Sequence, residues 1–504
     1  MTKPNFALKT LAAALLAGGF CQGALACTTI IAGRNATADG SVLVARLEDY
    51  TYNNHAKRFV VVPAQTYKDG DTLSFDNGVS VPAPKAGMRY TAMRDWNGDQ
   101  RGALGPWSEF GANEAGVILS ATNSTEPNDK AAKADPLVGD EGGVIEAILP
   151  DLILPQAKTA REGVELLGKY VETLGAGETN GIQIADDKEA WLFEIGSGHH
   201  WIAVRVPDDG YVVMANGMRV HDADLNDKAN VLSSAGIAEF AEKHQLLDKV
   251  DPAKFNFAKA FGIVGDAYNV DREWLVQSKL EPGRKQDIRQ QQYPFYTKPE
   301  KPISVEQVAA ILRIDNYAGT PLDGKKPAGD QKQRPIAMER NVEAHILQVR
   351  PQMPKGLQVL SWQSLGNVRD GLLLPYYLES LRSTPRVFQQ GSDDFDEHSA
   401  WWTFRSLTSL AHANDKQYMP LLHGWRDRLE GSLRAAQPAQ DEMLKALAQK
   451  DGEVARAAAE RFSNGTALWA LDQAGVLRAN ILTDLTKSTE QNYSAEELEK
   501  IKHL

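Results

Sequence analysis

The sequence predicts an α+β fold in which a layered core of strands and helices precedes a mostly helical C-terminal part. Three observations carry that expectation. A β-branched run, Thr28-Thr29-Ile30-Ile31-Ala32, is followed by an Asp39-Gly40 turn and a second run, Ser41 to Ala45. Four further runs crowd together at Gly181 to Ala185, Ala190 to Ile195, Trp201 to Val206 and Tyr211 to Ala215. The turns between them, such as Asp186-Asp187-Lys188 and Pro207 to Gly210, are too short for a parallel return, so these strands are expected to form an antiparallel meander. From about Tyr376 the pattern turns helical.

Taken in order, residues 1–26 read as an export signal. Lys3 and Lys9 supply positive charge, Leu11 to Ala17 is a short apolar core, and Ala24 and Ala26 suit cleavage after Ala26. The apolar run is too short to span a bilayer. No later segment qualifies either, since Val144 to Leu154 is broken by Glu146, Pro150 and Asp151. Cleavage makes Cys27 the first residue and places the mature chain in the periplasm or outside the cell. A lipoprotein reading competes, because lipoprotein signals also end before a cysteine. They usually carry Leu three residues upstream, where this chain has Ala24. Lipidation would consume the Cys27 thiol as a thioether.

Reflection about Asp39-Gly40 returns the second strand toward Cys27, so Arg46, Glu48 and Asp49 are expected near it. Glu48 is expected to face solvent. A third strand is predicted at Val117 to Thr122, ending in Asn123, and Asn216 closes the Tyr211 run. Thr159 and Glu162 form a capping box, with Val164, Leu167, Tyr170, Val171 and Leu174 as the apolar face and Gly175 as the stop. Gln277 to Pro302 and Gly324 to Pro335 read as loops, and Ser494 with Glu497 caps a last helix. The expected division is 1–26 signal, 27–375 core and 376–504 helical region.

Of two cysteines, Cys21 leaves with the signal, so the mature chain keeps one thiol and forms no internal disulfide. A lone buried cysteine is ordinarily a small hydrophobe, but chain ends are seldom buried unless held. Removing 26 of 504 residues leaves 478, and losing Lys3 and Lys9 moves the net charge from −11 to −13. So acidic a chain is a poor partner for nucleic acid or anionic membranes. As the first residue, Cys27 carries a thiol (pKa ~8.5) and an α-amine (pKa ~7.7–8.0), a nucleophile and a base together. Metal signals are weak. His199 and His200 are adjacent and would point to opposite faces of a strand, and Asp393 to Glu397 lacks the glycine of a calcium loop. Gly196-Ser197-Gly198 lacks the spacing of a nucleophile elbow, and Trp401-Trp402 reads as core.

Cys27-Thr28-Thr29, Asp39-Gly40-Ser41 and Arg46-x-x-Asp49 together resemble the start of the dipeptidase A family of cysteine peptidases. These are N-terminal nucleophile hydrolases related to penicillin V acylase and bile salt hydrolase. The resemblance continues through Asn113 to Gly116 with Thr122-Asn123, Gly198 to Trp201, Met214-Ala215-Asn216, Arg313 to Thr320, His345 to Arg350 and His398 to Phe404. It implies a four-layer α/β/β/α sandwich, a dipeptide or short-peptide substrate and no cofactor. It further implies Cys27 as nucleophile, Arg46 as positive charge beside the thiol and Asp49 orienting the Cys27 amine. A group of Asn123 and the side-chain amide of Asn216 would be the oxyanion donors. An acylase of a non-peptide amide, or a non-catalytic solute-binding lipoprotein, stays open as an alternative. Oligomeric state is not readable.

Overall fold

A computed structural model describes residues 27–50, 53, 55–96, 106–327, 333–488, 499, 500 and 502. The expected signal at 1–26 and the cap at Ser494 and Glu497 lie outside the described residues, as does 328–332 of the second expected loop.

The N-terminal half alternates short strands with few helices. It runs β1 (Thr28–Ala32), β2 (Val42–Asp49), β3 (Lys57–Val62), β4 (Gln65–Thr66), β5 (Thr72–Ser74), β6 (Ser80–Pro82), β7 (Ala86–Gly87), β8 (Tyr90–Asp95), β9 (Ser108–Ala112) and β10 (Ile118–Ser124). Helices α1 (Asp129–Ala134), α2 (Leu149–Ile153) and α3 (Ala160–Leu174) follow. Then come β11 (Asn180–Ala185), β12 (Ala190–Ile195), β13 (Trp201–Arg205), β14 (Tyr211–Met214) and β15 (Val231–Ser233). The second half holds α4 (Ile237–Lys243), α5 (Phe257–Phe261), α6 (Ala267–Leu280), β16 (Tyr296–Thr297), α7 (Val305–Leu312), β17 (Asn341–Val349), β18 (Val359–Leu365) and β19 (Leu374–Tyr377). It closes with α8 (Ala400–Ala411), α9 (Asp415–Ala448) and α10 (Gly452–Ser488), so the chain is α+β with a helical C-terminal stretch, as expected.

Among the described residues, one large sheet has the order β16-β14-β1-β2-β17-β18-β19, a second has β15-β13-β12-β11-β10-β9-β8-β3, and β4-β7 and β5-β6 form two small two-stranded sheets. The predicted hairpin forms, with Thr28 opposite Leu47 and Thr29 opposite Arg46. Gly40 takes the left-handed backbone the turn needs (φ 74°), and Asp39 accepts bonds from the Ser41 amide and hydroxyl. Every residue of β1 and β2 is buried, because both faces of this sheet are covered.

The meander holds for three strands, but the fourth leaves it. β11, β12 and β13 pair in succession, whereas β14 crosses to the other sheet and pairs with β1, Met214 opposite Thr29. Backbone bonds from Gly33 and Asn35 to the carbonyls of Gly210 and Asp208 hold the Pro207 to Gly210 turn against the β1 end, which redirects the strand. The third predicted strand extends to Ser124, so Asn123 lies inside β10, at a break in register with β11.

Helix α3 starts where expected. The Thr159 hydroxyl accepts the Glu162 amide, and Gly175 ends the helix at φ 84°. With α2 it packs Val164, Leu167 and Val171 into one apolar cluster with Ile182, Trp191 and Phe193 of the β10–β13 sheet. Helices α6 to α10 contribute to a second cluster with β1, β2, β17 and β18. The expected loop from Gln277 begins late, since Gln277 to Leu280 is the last turn of α6. That helix buries Asn269, Asp271, Arg272, Glu273 and Gln277, so it lacks the polar face that makes a helix readable. Along α10, Ala455, Ala459, Ser463, Ala467, Ala470 and Ala474 form a buried stripe of small residues, and the Ser463 hydroxyl accepts the Tyr377 amide of β19.

Candidate active site

Cys27 sits at the head of β1, between β14 and β2. Its side chain is buried. Two arginines hold it. Arg46 Nη2 donates to Cys27 Sγ at 3.1 Å, and Arg272 Nη1 donates to the Cys27 carbonyl at 2.5 Å. Along β2, alternate residues face opposite sides. Arg46 and Glu48 therefore share one face, toward the second sheet, and Asp49 takes the other.

Arg46 is fully buried and anchored by carboxylates. Glu109 Oε2 accepts from both Nη1 and Nη2 at 3.2 Å, while Glu146 and Glu343 each stand 3.7 Å from a guanidinium nitrogen. Burial pushes the Cys27 thiol up to about 12, Arg46 pulls it down, and Glu146, Glu48 and Asp49 add to the rise. At neutral pH the thiol is therefore protonated in this arrangement. Asp49 is held by Arg334 and by the Asn341 side-chain amide, with Arg340 Nε at 3.5 Å.

The two asparagines are drawn into the same network from different elements. Asn123 Oδ1 accepts the Thr29 hydroxyl at 2.6 Å, and its Nδ2 donates to the Ala215 carbonyl at 3.0 Å. The Asn123 side chain thus pins β10 across to β1 and to the end of β14. Gly181, its neighbour on β11, leaves room there, because a Cβ would strike the Met214 thioether at 2.1–2.3 Å. Asn216 lies two residues beyond β14. Its Nδ2 donates to the Ser124 carbonyl at 3.0 Å, and its Oδ1 accepts from Arg272 Nη2 at 2.9 Å. Cys27, Arg46, Asn123 and Asn216 are therefore brought together, and Asp49 stands at the adjoining end of β2.

The profile of peptidase family C69 matches residues 26–425. The chain belongs to this family. A probable dipeptidase of Latilactobacillus sakei is 33% identical over 413 residues, 79% of this chain and 85% of that protein. A probable dipeptidase of Salmonella dublin is 38% identical over 376 residues, 73% of this chain and 83% of that protein. A dipeptidase of Bifidobacterium longum is 32% identical over 417 residues, 77% of each.

Two residues of this C69 peptidase escaped the sequence reading. Arg272 joins the Cys27 carbonyl, the Thr28 hydroxyl (3.1 Å), Asn216 and Asn269 (3.1 Å). Burial, then the nearby Arg334, lower its pKa to about 10, which leaves it charged at neutral pH. Nothing in a buried polar helix flagged it. Glu48, expected in solvent, is buried and bonded by Lys57 Nζ at 2.8 Å. Lys57 is the second, a buried lysine in a strand with no motif around it.

His199 and His200 serve different partners, Asp135 (2.9 Å) and Ser234 (2.9 Å). Among the described residues, two other groups have metal-ligand spacing, Glu48-Asp95-Glu109 and Glu339-Asp370-His412. Each already holds a cation of the chain. Lys57 lies among the first three, and Arg369 Nη2 contacts all of the second at 2.7–2.8 Å. Asp393 to Glu397 is largely exposed, and Trp401 is core. No described helix is long and apolar enough to cross a membrane.

Proposed function

We propose that this C69 peptidase is an exported cysteine-type dipeptidase of the N-terminal nucleophile class, built as a four-layer α/β/β/α sandwich. The observation that carries the reading is the Arg46 guanidinium 3.1 Å from the thiol of Cys27, the residue that cleavage after Ala26 would leave first. A thiol held up by burial needs a base at hand when it attacks. The α-amine of Cys27 is that base, attached to the same residue.

The amine takes the thiol proton as sulfur attacks the scissile carbonyl, and Arg46 stabilises the thiolate. The oxyanion is met by the Asn123 backbone N–H and the Asn216 side-chain amide. The Asn123 side chain bonds Thr29 and Ala215, and the Asn216 amide bonds the Ser124 carbonyl, which fixes both asparagines beside Cys27. The tetrahedral adduct collapses, the amine returns the proton to the leaving nitrogen, and a thioester remains. Water, deprotonated by the same amine, hydrolyses it. Arg272 holds the Cys27 carbonyl and the Asn216 amide in one orientation throughout. Asp49 sets the position of the amine.

A substrate panel tests the activity. Unblocked dipeptides are expected to be cleaved faster than longer peptides, penicillin V or bile-salt amides. Turnover of an acylase substrate with no dipeptide cleavage would replace this reading with an acylase. Intact mass of the exported protein tests the start: a chain beginning at an unmodified Cys27 is expected, and added lipid mass would point to the lipoprotein instead.

A further inference from the structure

Lys57 is buried between the two sheets. It stands on β3, an edge strand of one sheet, and its ammonium reaches Glu48 on β2 of the other. It also donates to Asp95 Oδ1 at 2.5 Å and to Glu109 Oε1 at 3.2 Å. Glu109 is shared, because its second oxygen carries both terminal nitrogens of Arg46, one of which reaches the thiol. The contacts run in one line, from Lys57 through Glu109 and Arg46 to Cys27.

We propose that Lys57 is a positioning residue for the nucleophile, setting through Glu109 how strongly Arg46 stabilises the Cys27 thiolate. This rests on the reading of Cys27 as nucleophile. Three buried carboxylates without Lys57 would draw on the Arg46 guanidinium for compensation and pull its charge from the sulfur. In a low-dielectric interlayer such competition is not screened by solvent. Other charged groups also face the line. Asp95 also carries His55 Nε2 at 2.8 Å, and Arg46 faces Glu146 and Glu343. Glu343 meets His345 Nδ1 at 3.1 Å, and Asp49 with Arg334 and Arg272 lie on the far side of Cys27. Lys57 links the carboxylates of Glu48, Asp95 and Glu109 on β2, β8 and β9.

The test is the pH dependence of iodoacetamide alkylation of the single mature thiol, with folding followed by circular dichroism. Lys57→Met is expected to raise the apparent thiol pKa by about one unit, or about tenfold slower alkylation at fixed neutral pH. Asp95→Asn keeps Lys57 and removes a competitor for it, so Lys57 bonds Glu109 more fully and the thiol pKa falls. A packing role predicts no such opposed signs. A folded Lys57→Met protein with the wild-type alkylation profile overturns the proposal. Should Lys57→Met fail to fold, Asp95→Asn decides: a downward shift supports it, and no shift or an upward one overturns it. Alkylated enzyme that keeps its turnover would instead remove the nucleophile reading, whatever the pKa shifts.

Discussion

Cys27→Ala is expected to lose turnover by on the order of 10⁶, the scale seen when a nucleophile acting with its base is removed. The change deletes one sulfur from a buried site and leaves Arg46, Arg272 and both asparagines in place, so the fold should persist. Binding should persist too, and the dissociation constant of an unreacted dipeptide, read by calorimetry, is expected to stay within a few fold. Stoichiometric alkylation of wild type should silence the enzyme equally, whereas a chelator should not. Full activity after complete alkylation would rule out Cys27 as nucleophile.

The second large effect separates the thiol from its amine. With one Ala retained ahead of Cys27, every side chain remains and only the free amine is lost, replaced by an amide nitrogen that takes no proton. Loss of a general base costs about 10²–10⁴ in rate. The added residue also extends the chain at Cys27, which is buried and whose carbonyl Arg272 holds. Turnover should collapse while circular dichroism and melting stay near those of the unextended protein. Near-normal turnover in a chain shown by mass to keep its Ala would leave Cys27 as nucleophile and move the base elsewhere, with Glu48 and Asp49 tested first.

Local signals read well here. The β1–β2 hairpin rests on β-branched runs and an Asp-Gly turn, so the approach of Arg46 to Cys27 followed from reflection about one turn. Helix α3 was readable because its cap, apolar face and glycine stop all lie within 17 residues, Thr159 to Gly175. Signals that depend on distant partners read badly. β14 joins β1 across 179 to 185 residues, from Ala32–Tyr211 to Thr29–Met214, and departs from the meander that short turns suggested. Glu48 looks like a surface acid until Lys57 and the second sheet cover it.

The sequence by itself determined the hairpin that returns Arg46 and Asp49 to Cys27, and a mixed core before a helical end. These depend on covalent order and on short-range backbone preference, which travel with the residues. Only the tertiary structure decided that Arg272 grips the Cys27 carbonyl and Asn216, that Asn123 spends its side chain on Thr29 and Ala215, and that Lys57 fills a cage of three carboxylates. Each of these is a polar group buried between elements far apart in the chain. Such groups are tolerated only because folding supplies a partner, and the partner's identity is written in the packing of two sheets rather than in any local pattern.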